Sequence, residues 1–234
     1  MLTLEQVVNK SIKKLSGLHD VLSVAAKVLI ENCYKKGIYI QITQGLRTID
    51  EQNDLYAQGR TKQGSIVTNA KGGYSFHNFG LAIDFVLLLP DGKNVTWDMN
   101  TDYNSNNVKD WIEVVDEAKK LGFEWGGDWT SFKDYPHFQM VFGLSTADLR
   151  NGKKPTQKLL DSAIALINKC IQTVPDSVKD EDQSIRPVKI ILTKDNSVRD
   201  GLLKDNTNFV PISVLKDLGH KVTWDNTNKK LYIS

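Results

Sequence analysis

One acid in apolar company constrains this chain more than any other feature. The run LAIDFVLLL (81–89) reads as a buried strand, yet it sets Asp84 between Ile83 and Phe85, with Val86 and three leucines following. An isolated ionised carboxylate in such a strand would cost several kcal/mol, so the fold must supply compensation. The candidates are a buried Arg or Lys, a set of backbone donors, or a metal ion.

Four histidines are present: His19, His77, His137 and His220. His77 stands seven residues before Asp84 in SFHNFGLAIDF, and His137 follows much later in DYPHF. Two imidazoles and one carboxylate with an open fourth position make a catalytic zinc site, where a water's pKa falls toward about 7. His19 and His220 lack companions at metal-ligand spacing and are assigned no site.

The rest of the composition is that of an ordinary soluble globular protein: 234 residues, 40% hydrophobic, 25% charged, mean hydropathy −0.34. Collagen, disorder and membrane insertion are excluded as classes, since no run approaches the roughly 18 apolar residues of a spanning helix. A net charge of +2 argues against a general nucleic-acid binder. Residues 1–150 hold 16 Lys and Arg against 18 Asp and Glu (−2), and 151–234 hold 14 against 10 (+4), so the tail is the basic part. The opening MLTLEQVVNKSIKKL has Glu5 and a lysine cluster where an export signal needs an apolar stretch, which predicts a cytoplasmic start. Cys33 and Cys170 lie far apart in helix-like segments and are read as buried thiols, neither disulfide framework nor ligands.

Local patterns predict an α+β body with a small, mainly antiparallel sheet. Thr3 and Gln6 form a capping box for a first helix with Val8, Ile12 and Leu15 on one face, and a second helix runs from about Asp20 to Lys36, stopped by Gly37. IYIQIT alternates as a half-buried strand, and Thr48 with Glu51 caps a short helix to about Gly59. Residues 60–75 read as a long polar loop, 108–121 as a helix, and PHFQMVF as a strand with His137, Gln139 and Val141 on one side and Phe138, Met140 and Phe142 on the other.

The spacing S-x-H-x-x-G-x-A-x-D, present as Ser75, His77, Gly80, Ala82 and Asp84, followed by D-x-x-H as Asp134 and His137, resembles the zinc peptidases of the D-alanyl-D-alanine carboxypeptidase type. Within them it resembles the L-alanyl-D-glutamate peptidases of phage endolysins and bacterial cell-wall hydrolases, over about residues 20–145. The resemblance implies that His77, Asp84 and His137 hold Zn²⁺ and that Asp134 is the general base. Relatives that release D-alanine more often carry Glu at that place, so Asp134 favours the endopeptidase branch. A carboxylate three residues before a ligand sits where it can take a proton from the attacking water and pass one to the leaving amine. The resemblance also implies that Arg47 and Gln52 face the cleft, Arg47 for an oxyanion or a substrate carboxylate and Gln52 to orient the peptide, with Ser75 donating to the metal shell or substrate. Phe123, Trp125, Trp129 and Tyr135 are candidates either for a cleft wall or for the core.

The expected organisation is a catalytic domain (1–150), a helix and charged linker (151–185) and a small α+β domain (186–234). The last resembles the copper amine oxidase-like N-terminal domain of wall-associated proteins, which implies wall attachment or self-association, and no copper site is evident in it. The expectation is an endolysin that cuts bacterial peptidoglycan after release from the host cytoplasm. The alternatives are a D-Ala-D-Ala-type carboxypeptidase, or a non-catalytic zinc-bearing binder on a scaffold that also resembles the hedgehog signalling domain.

Overall fold

A computed structural model describes residues 2–172 and, in the tail, the backbone of 186–192, 198–204, 207–209, 222–225 and 230–233. The chain divides into two compact units, residues 1–156 and 157–234.

The first unit opens with α1 (Leu4–Ser11), whose Thr3–Gln6 capping box is fully formed. Its buried residues are Val7 and Ser11, whereas Val8 is half-buried and Ile12 is 44% exposed, which corrects the expected Val8–Ile12–Leu15 face. The α-helix stops at Ser11 and Ile12–Lys14 winds as a tighter 3-10 turn, so the helical period does not carry through to Leu15. Helix α2 (Asp20–Lys35) is almost wholly core-facing and ends against Gly37, which takes the left-handed φ of 79°.

Strand β1 (Ile40–Gln44) follows, with α3 (Ile49–Ala57) behind its own Thr48–Glu51 capping box. Beyond the long 60–75 loop come β2 (Ala82–Leu88), β3 (Val95–Thr96), α4 (Asp110–Lys120), β4 (Glu124–Trp125), β5 (His137–Gln139) and α5 (Thr146–Arg150). The sheet order is β1-β2-β5-β4 with β3 on β2, and every pairing is antiparallel. Strand β5 is shorter than the alternation of PHFQMVF predicts: it ends at Gln139, and Phe142 turns away with φ 47°.

Alternation on β2 gives the sheet two different faces. Phe85 stacks on Phe138 at 4.9 Å and meets Trp111 of α4 at 4.5 Å, forming the centre of the core. Phe123 packs on the same Phe138 at 5.9 Å. The opposite face carries Asp84, whose side chain is 20% exposed, so the acid lies at the rim of an opening rather than sealed in the core.

In the second unit, α6 (Gln157–Gln172) packs on β6 (Arg186–Leu192) and β7 (Val198–Lys204), so the helix first grouped with the linker belongs with the tail. With β8 (Thr207–Phe209), β9 (Val222–Asp225) and β10 (Lys230–Ile233) these strands form a sheet of order β8-β7-β6-β10-β9, parallel between β10 and β6 and antiparallel elsewhere. Trp224 is opposite Leu231 and Val222 opposite Ile233 in the β9–β10 pair. The segment VLKDLGH, whose pattern predicts a short helix, and most of the charged linker lie outside the described residues. Cys33 is fully buried, whereas Cys170 on α6 is only half-buried.

Candidate metal centre

The sheet itself brings the first two ligands together. Asp84 on β2 is directly opposite His137 on β5, so their side chains leave the same face as neighbours. The third arrives from a 3-10 turn, Phe76–Phe79, just before β2. Ser75 caps that turn by accepting the His77 N–H at 3.4 Å, and Gly80 ends it at φ 65°. A Cβ on Gly80 would come 2.7 Å from the Gly17 carbonyl oxygen, which accounts for a glycine at this motif position.

His77 Nε2, His137 Nδ1 and Asp84 Oδ1 form a nearly equilateral triangle: 3.1 Å between the imidazole nitrogens, 3.1 Å from His77 to Asp84 and 3.2 Å from His137 to Asp84. The outer ring nitrogens decide what lies inside it. His77 Nδ1 is 2.8 Å from the Gly45 carbonyl oxygen, which can only accept, so Nδ1 carries the hydrogen and Nε2 presents a lone pair. Gln139 donates its amide N–H to Glu124 at 2.9 Å, which turns its oxygen to His137 Nε2 at 3.0 Å. His137 therefore donates outward as well, and its Nδ1 lone pair faces the triangle. Three acceptors at about 3 Å repel one another unless a cation lies between them, and His77, Asp84 and His137 each offer one ligand atom to a shared metal ion.

Without a metal ion, the same positive charge can come only from protonated imidazoles, which then donate to Asp84 from their inner nitrogens. Burial alone would raise the Asp84 carboxyl, but the charge of His77 and hydrogen bonds from His137 and His77 hold it well below the usual carboxylate range. Burial alone would lower His137, yet its hydrogen bond to Asp84 and the Asp84 charge raise it. Arg47, in the loop after β1, reaches Asp84 Oδ2 with Nη2 at 3.5 Å, so one of the compensating cations considered for Asp84 is present beside the imidazoles.

Arg47 is itself held in place. Its Nη1 donates to Gln52 Oε1 at 2.8 Å and its backbone N–H to the His77 carbonyl at 3.1 Å. Gln52 is fully buried and donates to the Ala70 carbonyl at 2.8 Å, tying Arg47 to the 60–75 loop. Asn78 donates to the Arg47 carbonyl at 2.9 Å from the other side.

Asp134 lies in the turn leading to β5. Its N–H donates to Gly126 and its carbonyl accepts from His137 N–H at 3.2 Å. Gly126 has no room for a side chain, since a Cβ there would strike the Asp134 carbonyl oxygen. Burial first, then the nearby Asp84 charge, push the Asp134 carboxyl up, against the opposing pull of His137, His77 and Arg47. Trp129 lies 5.1 Å from the His137 ring, and Trp125 donates its indole N–H to the Tyr135 carbonyl at 2.7 Å. Trp125 and Trp129 are half-buried and Tyr135 is exposed, while Phe123 is core.

Sequence reasoning missed Gly45, Asn78, Gln139 and Glu124. Gln139 carried a readable signal, since strand alternation sets it on the same side as His137. Gly45 acts through its main-chain oxygen and carried none.

Comparison with known proteins bears on this geometry. A family described as D-alanyl-D-alanine carboxypeptidase matches residues 68–140. The chain is 55% identical over 126 residues, 54% of its own length and 75% of the other's, to peptidoglycan L-alanyl-D-glutamate endopeptidase CwlK of Bacillus subtilis (strain 168). It is 31% identical over 167 residues to the L-alanyl-D-glutamate peptidase of Listeria phage A118, covering 68% of this chain and 53% of that one. Among solved structures, the L-Ala D-Glu endopeptidase ChiX of Serratia marcescens aligns with a TM-score of 0.42 at 23% identity, covering 57% of this chain and 87% of that one. Identical to CwlK at 55% of aligned positions that span 75% of that protein, the chain belongs to the peptidase family that contains this L-alanyl-D-glutamate endopeptidase.

Proposed function

We propose that this protein is a zinc peptidase that hydrolyses the L-alanyl-D-glutamate amide of peptidoglycan stem peptides. The observation that carries the reading is the triangle of three lone pairs with both imidazole hydrogens turned outward. Zinc bonds of about 2.0–2.1 Å in a tetrahedron separate neighbouring ligand atoms by about 3.3 Å, close to the observed edges of 3.1–3.2 Å. Calcium and magnesium favour oxygen ligands and are poorly served by two imidazoles.

Zinc held by His77, Asp84 and His137 supplies Lewis acidity, activating water at neutral pH and polarising the scissile carbonyl. The remaining chemistry belongs to the chain's own residues. Asp134 takes the proton from the attacking water and returns it to the leaving amine. Two of the five guanidinium N–H groups of Arg47 face Gln52 and Asp84, leaving others for the negative charge that develops on the carbonyl oxygen. Gln52 serves through Arg47, and Ser75 through the turn that aims His77. Trp129 and Tyr135 form a wall for the stem peptide.

The second unit, in this reading, tethers the catalyst to the wall or joins copies of the chain, raising local concentration on an insoluble substrate. The pattern resembling the copper amine oxidase-like domain motivates that role, and an endolysin released from the host cytoplasm is the biological setting it fits. Among the described residues no helix is long and apolar enough to cross a membrane.

Mass spectrometry of fragments released from purified peptidoglycan tests the assignment. The expected product carries a new D-glutamate amino terminus; free D-alanine instead would make the enzyme a carboxypeptidase, and no fragment at all would leave a zinc-bearing binder.

A further inference from the structure

A second set of ligands stands in the loop that leads into α4, and it is independent of the peptidase reading. Asp102, Asn104, Asn106, Asp110 and Glu113 occupy positions 1, 3, 5, 9 and 12 of a twelve-residue stretch, the spacing of the EF-hand calcium loop. At position 6, where that loop uses glycine for a sharp turn, Asn107 adopts a left-handed φ of 66°, a conformation Asn tolerates. The Asp102 carboxylate accepts the N–H groups of Asn106 at 3.1 Å and Asn107 at 2.9 Å. The side-chain amides of Asn104 and Asn106 converge on one oxygen, Glu113 Oε2, at 2.9 and 2.8 Å. Positions 3, 5 and 12 thus already meet at one oxygen, and position 1 is tied to position 5 through its backbone N–H.

Those bonds alone would describe a well-made turn. Asp110 is what asks for a ligand. It is 1% exposed, its Oδ2 accepts the Tyr103 N–H of the loop at 2.9 Å, and its Oδ1 has no hydrogen-bond partner. Burial first, and then the charges of Asp102 and Glu113, work against its ionisation, while backbone N–H groups of Tyr103 and Asn104 favour it. The lysine facing them, Lys36, lies 3.6 Å from Glu113 but 2.9 Å from Glu117, which takes the closer share of its charge.

We propose that this loop binds one divalent cation of the calcium class through Asp102, Asn104, Asn106, Asp110 and Glu113. The donor set is all oxygen, which selects calcium over zinc. Binding turns the two Asn amides over, so that their oxygens face the ion in place of the N–H groups now bonded to Glu113. The orphaned Asp110 oxygen then gains a positive partner, directly or through a water as is common at position 9.

The test is calorimetric titration of the full chain with CaCl₂ after the imidazole site has been saturated with Zn²⁺, together with thermal unfolding with and without calcium. The expected result is one equivalent of Ca²⁺ bound with Kd of roughly 10⁻⁴–10⁻³ M or tighter and a higher Tm, with Mg²⁺ weaker. Asp102→Asn keeps acceptors for the two backbone N–H groups and is expected to weaken binding at least tenfold while the protein stays folded. Glu113→Gln is expected to weaken it further, and Asp102→Asn carries the test if that buried variant does not fold. No binding heat and no Tm shift at roughly 10 mM Ca²⁺, or equal affinity in the wild type and Asp102→Asn, would overturn the proposal.

Discussion

Two carboxylates of the first unit that are largely withdrawn from water, Glu117 and Asp84, are neutralised in opposite ways. On α4, Glu117 meets Lys36 at 2.9 Å, Lys120 at 2.7 Å and the Asn32 amide at 3.4 Å, so the chain itself supplies its donors. At the sheet, Asp84 faces two imidazoles whose hydrogens are spent on Gly45 and Gln139, with Arg47 only at 3.5 Å. The first acid belongs to a closed ion-pair network and the second to a site that needs a cation from solution. A buried acid thus points to function through where its neighbours aim their protons, more than through burial.

The sharpest way to break the contrast is to remove the cation. Chelation is expected to abolish peptidoglycan cleavage and Zn²⁺ to restore it, and Asp84→Ala to lower kcat/KM by about 10³-fold or more, measured on purified walls; undiminished activity in metal-free protein would place Asp84 with Glu117. Asp134→Ala is expected to keep one zinc per chain by elemental analysis while turnover falls about 10²–10⁴-fold. Because the base must be ionised, the limb of the kcat/KM profile that reports its protonation should vanish in that variant. Gln139→Leu, which frees His137 Nε2 from its anchor, is expected to weaken zinc binding about 10–100-fold in a chelator competition.

The smallest effects belong to the closed network. Glu117→Ala is expected to cost about 1–2 kcal/mol in denaturant unfolding, because Lys36 keeps partial access to water, and to leave activity per folded molecule unchanged. Partners hold the native Glu117 carboxyl below its ordinary value, although burial, the largest influence, opposes them. Its contribution is therefore complete above the ordinary glutamate range and is lost as pH falls through that range toward the depressed native value. Acid unfolding of the wild type and of Glu117→Ala should converge at low pH.

What could be read directly from the chain was what local spacing decides. The capping boxes at Thr3 and Thr48 and the stop at Gly37 need only neighbours in sequence, and all three are formed. The ligand triad was legible because its motif has fixed spacing, and the antiparallel register of β2 and β5 then sets Asp84 against His137. The face of α1 was misread because the end of the helix at Ser11 depends on its hydroxyl accepting the Ile42 N–H from β1, a contact 31 residues away. The end of β5 at Gln139 turns on the backbone of Phe142, which apolar alternation does not encode. The partners of Gln52 were not legible, because position alone does not reveal that its amide donates to Ala70 and accepts from Arg47.

The two ligating imidazoles are unequally exposed to mutation. His137 depends on a side chain, so one base change in the codon of Gln139 can erase its anchor. His77 leans on a carbonyl of the main chain, which every amino acid possesses, and Gly45 cannot gain even a methyl without meeting the Lys14 backbone. Drift can therefore loosen this centre from the β5 side, while the other half is inherited intact with the fold.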